Sequence, residues 1–440
     1  MRLRRLSSST ALGSLSATVA LLAGMEGAAA QSAPAPGAGS FENSFLIPGT
    51  QTSIRVGGYV KGDFVYDFSA VQNINGGACP DCAPFDGNNT VNPSPGHSIH
   101  GRSQMTASES RFNIITSTPT AYGELKTNIE GDFTNPDGLN NTSSFRVNTN
   151  SYGFRLFYAY GTLGPVLAGQ YRSVFRDADT EPETLDFGGP IVAGPLRQPQ
   201  LRYTFDFGNG LTLAVAAENP QTWVVANDVS AGGTTFGTKQ YDKIPDFTAA
   251  LRYSGDWGEI SGRAVFRDLY WNDGGPTPSS ANASAFGWGL GVSGQFTGWW
   301  GKDLAAFQIN GGQGAGRYLF AGQITSPDSG ISAVNGTDLI PIGAISAMVQ
   351  YQHWWTDMLR TTVEGSYAKQ YVNSNIFPTC TANSPCGTFI DYAWTFHVNL
   401  IWSPVPNVDT GIEWIRMLAR NHQNVNANTN RFQTAMKFYF

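Results

Sequence analysis

The chain has 440 residues and a formal net charge of −6, and only 14% of its residues are charged. Because nucleic acid is bound through a basic surface, this sparse and net acidic charge argues against a nucleic-acid partner. After the amino terminus no apolar run reaches the roughly 18 residues that a membrane-spanning helix requires, so a helical membrane protein is excluded as well.

The first thirty residues have the pattern of a secretory signal peptide. Three arginines lie among the first five residues, residues 11–23 are mostly apolar, and three alanines at 28–30 supply a small-residue cleavage site. The adjacent arginines also fit a twin-arginine signal, but a β-barrel must cross the inner membrane unfolded, which favours ordinary secretion. We therefore predict a signal peptide over residues 1–30.

Four cysteines fall in two local pairs, Cys79 with Cys82 and Cys380 with Cys386. In an exported protein, two disulfides that staple loops are the natural expectation. The spacing of the first pair also occurs in redox motifs and in half of a zinc site, but an exported location argues against both. Spacing alone leaves open a cross-pairing between the two loops.

Alternation of side-chain character indicates long β-strands. Over residues 54–68 the even positions are apolar or glycine, whereas the charged residues are all odd: Arg55, Lys61, Asp63 and Asp67. Over residues 121–133 the charged residues are all even. Successive side chains of a strand point to opposite faces, so each segment has one apolar and one ionic face.

About sixteen such segments follow one another along the chain. They begin near residues 52, 106, 121, 151, 165, 198, 211, 246, 257, 284, 302, 341, 358, 391, 409 and 430. Connections after even-numbered segments are short and those after odd-numbered ones are long, which is typical of outer-membrane barrels with short periplasmic turns and long external loops. Backbone groups in lipid require a closed sheet. We therefore predict an all-β transmembrane antiparallel β-barrel over residues 51–440, with a short periplasmic segment over residues 31–50, in the bacterial outer membrane.

The final segment supports this prediction. Its residues Phe432, Thr434, Met436, Phe438 and Phe440 share one face, and the chain ends on an aromatic residue. Outer-membrane barrels commonly end in this way, and the assembly machinery reads the last strand. The alternative interpretation is an apolar terminal strand of an ordinary sheet.

Several short blocks of sequence resemble the DcaP-like outer-membrane porins. They are IPGTQTSI at 47–54, GGYVK at 57–61, IEGDF at 129–133, PETLDF at 182–187 and RQPQLRYT at 197–204. The resemblance covers residues 45–205, and the remainder is similar only in its strand pattern. It implies a homotrimer of sixteen-stranded barrels, a third loop folded into the pore, and a preference for small anionic solutes, dicarboxylates among them. One departure is the tract 31–40, which is short and rich in Ala, Pro, Gly and Ser where some relatives carry a helical extension.

The third loop, residues 173–196, is then the expected constriction. Its charged residues are Arg176, Asp177, Asp179, Glu181, Glu183 and Asp186. On the strand faces that the alternation assigns to the pore, the basic residues are Arg55, Lys61, Arg111, Arg155, Arg202, Arg252, Arg263, Arg267 and Arg360. An acidic loop opposite a basic wall produces a transverse field, which orients dipolar or anionic solutes.

Transport through such a pore needs a constriction and fixed charges rather than a catalytic group. We predict that Arg111, Arg155 and Arg202 lie near the narrowest level and bind a solute carboxylate, because the planar guanidinium can bind both oxygens. The alternative is that these arginines only pair with neighbouring carboxylates such as Glu109 and Glu124. The expected partners are outer-membrane lipid and small anionic solutes, with no cofactor.

Other chemistries have weaker support in the sequence. Asp177, Asp179 and Glu181 have the spacing of a calcium loop, but Pro182 stands where glycine is needed. A hydrolase would need a Ser-His pair near one rim, and His397 is pore-lining by parity, where we expect it to be solvated. The alternatives to an anion-preferring porin are a non-selective general porin, a barrel enzyme and a structural barrel.

Overall fold

The computed structural model describes most of the chain beyond residue 36. The described ranges are 37–71, 98–99, 101–135, 153–192, 196–228, 233–236, 242–272, 282–298, 301–320, 327–334, 338–377, 390–424 and 426–440. Within them, no helix is long and apolar enough to cross a membrane. The predicted signal peptide and all four cysteines lie outside these ranges, so both remain predictions.

Sixteen antiparallel strands form a closed barrel, as predicted. They are β1 (Ser53–Val71), β2 (Arg111–Thr120), β3 (Gly123–Asn135), β4 (Gly153–Leu163), β5 (Val166–Arg172), β6 (Arg197–Asp206), β7 (Leu211–Glu218), β8 (Asp246–Gly255), β9 (Gly258–Asn272), β10 (Asn282–Thr297), β11 (Leu304–Gln313), β12 (Gly343–Trp354), β13 (Leu359–Tyr371), β14 (Ile390–Val405), β15 (Val408–Asn421) and β16 (Asn426–Tyr439). Each strand pairs with the next, and β16 pairs with β1 from Tyr439 opposite Tyr59 to Asn430 opposite Ser69. The observed strands begin within five residues of the predicted starts.

The alternation in sequence becomes an apolar exterior and a polar interior. On β1, Val56 and Val60 are each 53% exposed on the outer face, whereas Lys61 and Asp63 are 1% and 4% exposed on the inner face. This arrangement inverts the core and surface of a soluble protein. A barrel in lipid requires it, because hydrocarbon contacts the exterior.

The connections alternate in length with one exception. Two residues separate β2 from β3, β4 from β5, β8 from β9, and β14 from β15. In the last of these turns Asn407 has a φ of 71°, a backbone conformation that asparagine tolerates. The exception is the final hairpin, where residues 422–425 alone connect β15 to β16 because the pairing continues up to Arg420 opposite Asn426. The long external connection that the pattern predicts there is therefore absent.

Two connections fold into the barrel. The third loop does so, as the resemblance implied. The connection from β11 to β12 does so as well, and its helix α1 (Gly316–Phe320) is buried apart from Arg317. Phe175 of the third loop packs with Leu319 and Phe320 of α1 in an apolar cluster inside the barrel. From strand parity alone we would expect this part of the barrel interior to be filled with water instead.

A second, four-stranded sheet is separate from the sheet of the barrel wall, and its Val224, Ile331 and Leu339 pack with buried Leu269 of β9. Its strands are Gly233–Phe236, Val224–Asp228, Ser329–Ile331 and Leu339–Pro341, in that order. The first two belong to the connection from β7 to β8 and the last two to the connection from β11 to β12. The two connections are therefore joined by backbone strand pairing, with Val224 opposite Ser329. Three short segments pair with β1: Phe45–Leu46, Ser98–Ile99 and Arg102–Thr106.

Candidate functional site: the third loop and the arginines of the barrel wall

The third loop turns inward because Glu218, the last residue of β7, binds its first residues. The Glu218 carboxylate accepts hydrogen bonds from the Ser173 hydroxyl at 3.1 Å and from the Val174 backbone NH at 2.8 Å. It also accepts one from the Thr248 hydroxyl on β8 at 2.7 Å. The Glu218 carboxylate is buried, and its charge-assisted hydrogen bonds hold the donors of the loop in place. The loop therefore begins against the inner wall of the barrel.

The middle of the loop crosses the barrel along strands on the far side. Gln308 on β11 donates to the Asp177 backbone carbonyl at 3.0 Å and to the Thr180 hydroxyl at 2.7 Å. Gln350 on β12 donates to the Thr180 backbone carbonyl at 2.8 Å. Buried side-chain amides of the barrel therefore satisfy the backbone of the loop, which has no regular structure of its own.

The tip of the loop reaches the strands where the barrel closes. The Leu185 carbonyl accepts hydrogen bonds from Lys61 on β1 at 2.7 Å and from Gln433 on β16 at 3.0 Å. The Leu185 NH donates to Glu413 on β15. Lys61 also forms a buried ion pair with Glu109, so this predicted pore-lining residue lies under the loop and is engaged there.

Three carboxylates converge around Arg252 on β8. Asp177 and Asp179 of the loop and Glu259 on β9 bring one oxygen each within 4.8 Å of one another. The Arg252 guanidinium lies among them, 3.0 Å from Asp177 and 2.7 Å from Glu259, and it also binds Asp179. The cation that these three carboxylates bind is therefore the Arg252 guanidinium.

Glu183 is bound by Arg360 on β13. The guanidinium is fully buried and donates to both carboxylate oxygens, at 2.6 Å from Nε and 2.5 Å from Nη2. Asp409 on β15 lies 3.5 Å from the same guanidinium. Within the loop, Glu181 pairs with Arg176.

Asp186 is buried behind the loop beside a histidine. Burial raises the pKa of its carboxyl group to about 7, and the charged groups that face it are His397, Arg431, Glu413 and Lys61. His397 bonds to Glu413 at 2.7 Å and is 1% exposed. His397 therefore faces the interior, as its parity predicts, but it is covered by the loop and is not solvated.

Two further predicted pore-lining arginines hold the inward loops in place. Arg263 on β9 donates to the Phe175 backbone carbonyl at 2.7 Å. Arg267 on β9 is fully buried between Asp246, at 3.1 Å, and Asp328 in the connection from β11 to β12, at 2.6 Å. Both guanidinium groups are buried beneath loops.

Arg111 and Arg155 face the interior on β2 and β4 and share one carboxylate. Arg155 binds both oxygens of Asp132 on β3, at 3.0 and 2.7 Å. Arg111 lies 3.2 Å from Asp132 and 3.1 Å from Glu130. The two arginine side chains remain 15% and 29% exposed, respectively. These carboxylates differ from the partners that the sequence suggested, because Glu109 binds a lysine and Glu124 pairs with Lys126 at 2.8 Å.

Arg202 and Arg55 form no ion pair among the described residues. Arg202 on β6 donates to the Gln200 side chain at 2.9 Å and to the Arg172 backbone carbonyl at 2.5 Å. Arg55, near the other end of β1, lies over the Phe41 ring at 5.9 Å. Both side chains are half-buried.

Two arginines near the base of the loop were missed by the sequence analysis. Arg172 ends β5 and Arg197 begins β6, and the two lie opposite each other in the register. By strict parity Arg197 shares a face with the outward-pointing Leu201, yet its guanidinium lies 3.6 Å from the centre of the Phe157 ring. Its position immediately after the predicted constriction loop was the signal that could have identified it.

Comparison with known proteins agrees with this geometry. The sequence model of a porin subfamily matches residues 33–429. The Omp2b porins of Brucella canis and Brucella suis are 29% identical to this chain over 266 residues, which are 58% of this chain and 64% of theirs. The match therefore spans less than two thirds of the length of these relatives.

Solved structures share the barrel. The outer membrane channel DcaP of Acinetobacter baumannii superposes with a TM-score of 0.70 at 20% identity, covering 91% of this chain and 100% of that chain. An anion-selective porin from Comamonas acidovorans gives a TM-score of 0.51 at 10% identity, with 88% and 100% covered. At these identities the likeness concerns the fold, and at that level it confirms the resemblance to the DcaP-like channels.

Proposed function

Because this chain belongs to the porin subfamily, we propose that its barrel is a passive diffusion pore that prefers small anionic solutes, dicarboxylates among them. The porin lies in the bacterial outer membrane, and family and fold point to a channel rather than an enzyme. The anion preference is the finer part of the proposal and rests on the charges of the interior.

The observation that carries the preference is the different state of the charges on two parts of the barrel wall. Three acids of the third loop are bound by wall arginines, since Arg252 on β8 holds Asp177 and Asp179 and Arg360 on β13 holds Glu183. The arginines on β2, β4 and β6 stay partly exposed. A solute that passes along this second wall meets guanidinium groups, which replace part of the hydration of an anion and repel a cation.

Aromatic rings keep these guanidinium groups in position. Arg111 lies 3.5 Å from the centre of the Phe157 ring, and Arg155 lies 5.2 Å from that of Phe187 in the third loop. A cation over the face of an aromatic ring is attracted by the ring quadrupole. The guanidinium forks are thereby held at the inner wall without being fully neutralised.

We extend the proposal to export and assembly. A signal peptide over residues 1–30 directs secretion, residues 31–50 precede the barrel in the periplasm, and the mature chain forms a homotrimer in outer-membrane lipid. Disulfides within each cysteine pair staple two external loops. Chemical cross-linking of the detergent-solubilised protein, with and without reductant, tests the oligomer and the disulfides in one gel.

The test of the anion preference is the reversal potential in planar bilayers across a potassium chloride gradient. We expect the sign that chloride permeation gives, and we expect succinate to compete for the chloride current. A reversal potential near zero would favour the non-selective general porin, and the sign of cation selectivity would refute the proposal.

Charge-removing variants test which arginines carry the preference. Arg111→Gln, Arg155→Gln and Arg202→Gln should each shift the reversal potential toward zero. Lys302→Gln is the matched control, because Lys302 is an exposed turn residue paired with Asp357 in a neighbouring turn. Unchanged selectivity in all three arginine variants would exclude these residues from the filter.

A further inference from the structure

We propose that Arg197 is a binding residue of the pore and that it takes an oxyanion of the passing solute. This inference rests on the proposed anion preference and names a residue outside the pore-lining set that strand parity predicts. It is carried by three observations at the base of the third loop: an aromatic ring surrounded by guanidinium groups, an excess of positive charge, and an unsatisfied buried donor.

The Phe157 ring is the centre of the arrangement. Arg111 and Arg197 both contact it, with guanidinium carbons 3.5 and 3.6 Å from the ring centre, and Arg155 lies at 5.6 Å. Three like charges around one ring repel one another. Negative charge bound beside such a cluster therefore stabilises it.

The described carboxylates do not supply enough negative charge. The guanidinium groups at this level are those of Arg111, Arg155, Arg172, Arg176 and Arg197. The carboxylates bound to them are Asp132, Glu130 and Glu181. Arg197 itself forms no ion pair with any described residue. The cluster therefore keeps about two uncompensated positive charges.

The third observation is the geometry of the Arg197 side chain. Its Nη1 atom is shielded from solvent and has no hydrogen-bond partner among the described residues. A buried polar donor without a partner is unfavourable, and a charged one more so. An oxyanion that binds at this point satisfies the donor and compensates the charge at the same time.

The chemistry of the site indicates the class of ligand. A planar guanidinium binds the paired oxygens of a carboxylate or of a phosphate equally well. The excess of about two charges favours a doubly charged solute over a singly charged one. Dicarboxylates and inorganic phosphate share this chemistry, and the two probes below distinguish them.

The experiment measures block of the chloride current through the reconstituted full-length mature protein. Succinate and inorganic phosphate are titrated separately, and the apparent dissociation constant of block is compared between wild type, Arg197→Gln, Arg197→Lys and the control Lys302→Gln. Loss of a charge-assisted hydrogen bond corresponds to roughly tenfold to hundredfold weaker binding. We expect that loss in Arg197→Gln, a smaller loss in Arg197→Lys, which keeps the charge without the fork, and no change in the control.

The outcomes separate this inference from the proposed function. An anion-selective wild type whose block constants for both probes are unchanged in Arg197→Gln overturns the role of Arg197 and leaves the anion preference standing. Weaker block by only one probe supports the inference and identifies that anion class. If the wild type is not anion-selective, the proposed function fails first. Retention of the heat-modifiable electrophoretic band shows that each variant is folded.

Discussion

The buried ion pair between Arg360 and Glu183 should be the contact on which the third loop depends most. Both guanidinium–carboxylate bonds are short, and Arg360 is fully buried. Removing one partner of a buried pair costs about 3–5 kcal/mol, because the remaining charge is left uncompensated. At 1.4 kcal/mol per factor of ten, Arg360→Gln should raise the population of the locally open loop by roughly 10²- to 10⁴-fold.

Amide hydrogen exchange in peptides from residues 176–187 measures this opening, and single-channel recording measures the accompanying current noise. Glu183→Gln added to Arg360→Gln should restore much of the protection, since the pair is then removed as a whole. Lys302→Gln removes an exposed cation and should change neither measurement. Unchanged exchange in Arg360→Gln, or a larger loss of protection in the double variant, would show that this ion pair does not hold the loop.

Three further perturbations test other parts of the structure. Val60→Lys places a charge on the lipid face and should reduce the free energy of unfolding in lipid by up to about 4 kcal/mol. Urea titration measures this loss, with Val60→Ala as the control, and no loss of stability would mean that this face is not in hydrocarbon. Asp186 has a pKa raised from 3.8 to about 7 by burial, so the docked loop should lose stability as the pH rises from about 4 to 7. Hydrogen exchange of the loop should show this fall, and Asp186→Asn should reduce it; the same fall in the variant would contradict the assignment to Asp186. Gly258 has a φ of 125°, and a Cβ there would clash with the Gln295 carbonyl oxygen, so Gly258→Ala should reduce the heat-modifiable folded fraction. Gly262→Ala has open space around its Cβ and should not reduce it; equal folded fractions would contradict the clash.

The barrel could be predicted from the sequence because its signal is local. Each strand carries its own alternation, and the inner position of Lys61 or the outer position of Val60 depends on the parity of that strand alone. The closure of β16 onto β1 followed from the requirement that no edge remain in lipid. The inward third loop came from the resemblance and not from the pattern.

What covers an inward-facing residue could not be predicted, because parity carries no information about loops. Arg263 and Arg267 face inward as predicted, but the third loop and the connection from β11 to β12 bury them. The apolar cluster around Phe175 forms from segments more than a hundred residues apart. Arg197 could not be predicted for a related reason. At the end of a strand a side chain can turn toward the interior even when the alternation assigns it to the outer face.

The two inward loops divide the interior, and we expect ions to pass along the wall where Arg202 lies and not where Arg263 lies. Single-channel recording of Arg202→Cys and Arg263→Cys with a charged thiol reagent tests this division, with the treated wild type as the control for the four native cysteines. We expect the reagent to reduce the current through Arg202→Cys and to leave Arg263→Cys unaffected. Block of Arg263→Cys alone, or folded wild-type protein that inserts without conducting, would contradict the claim.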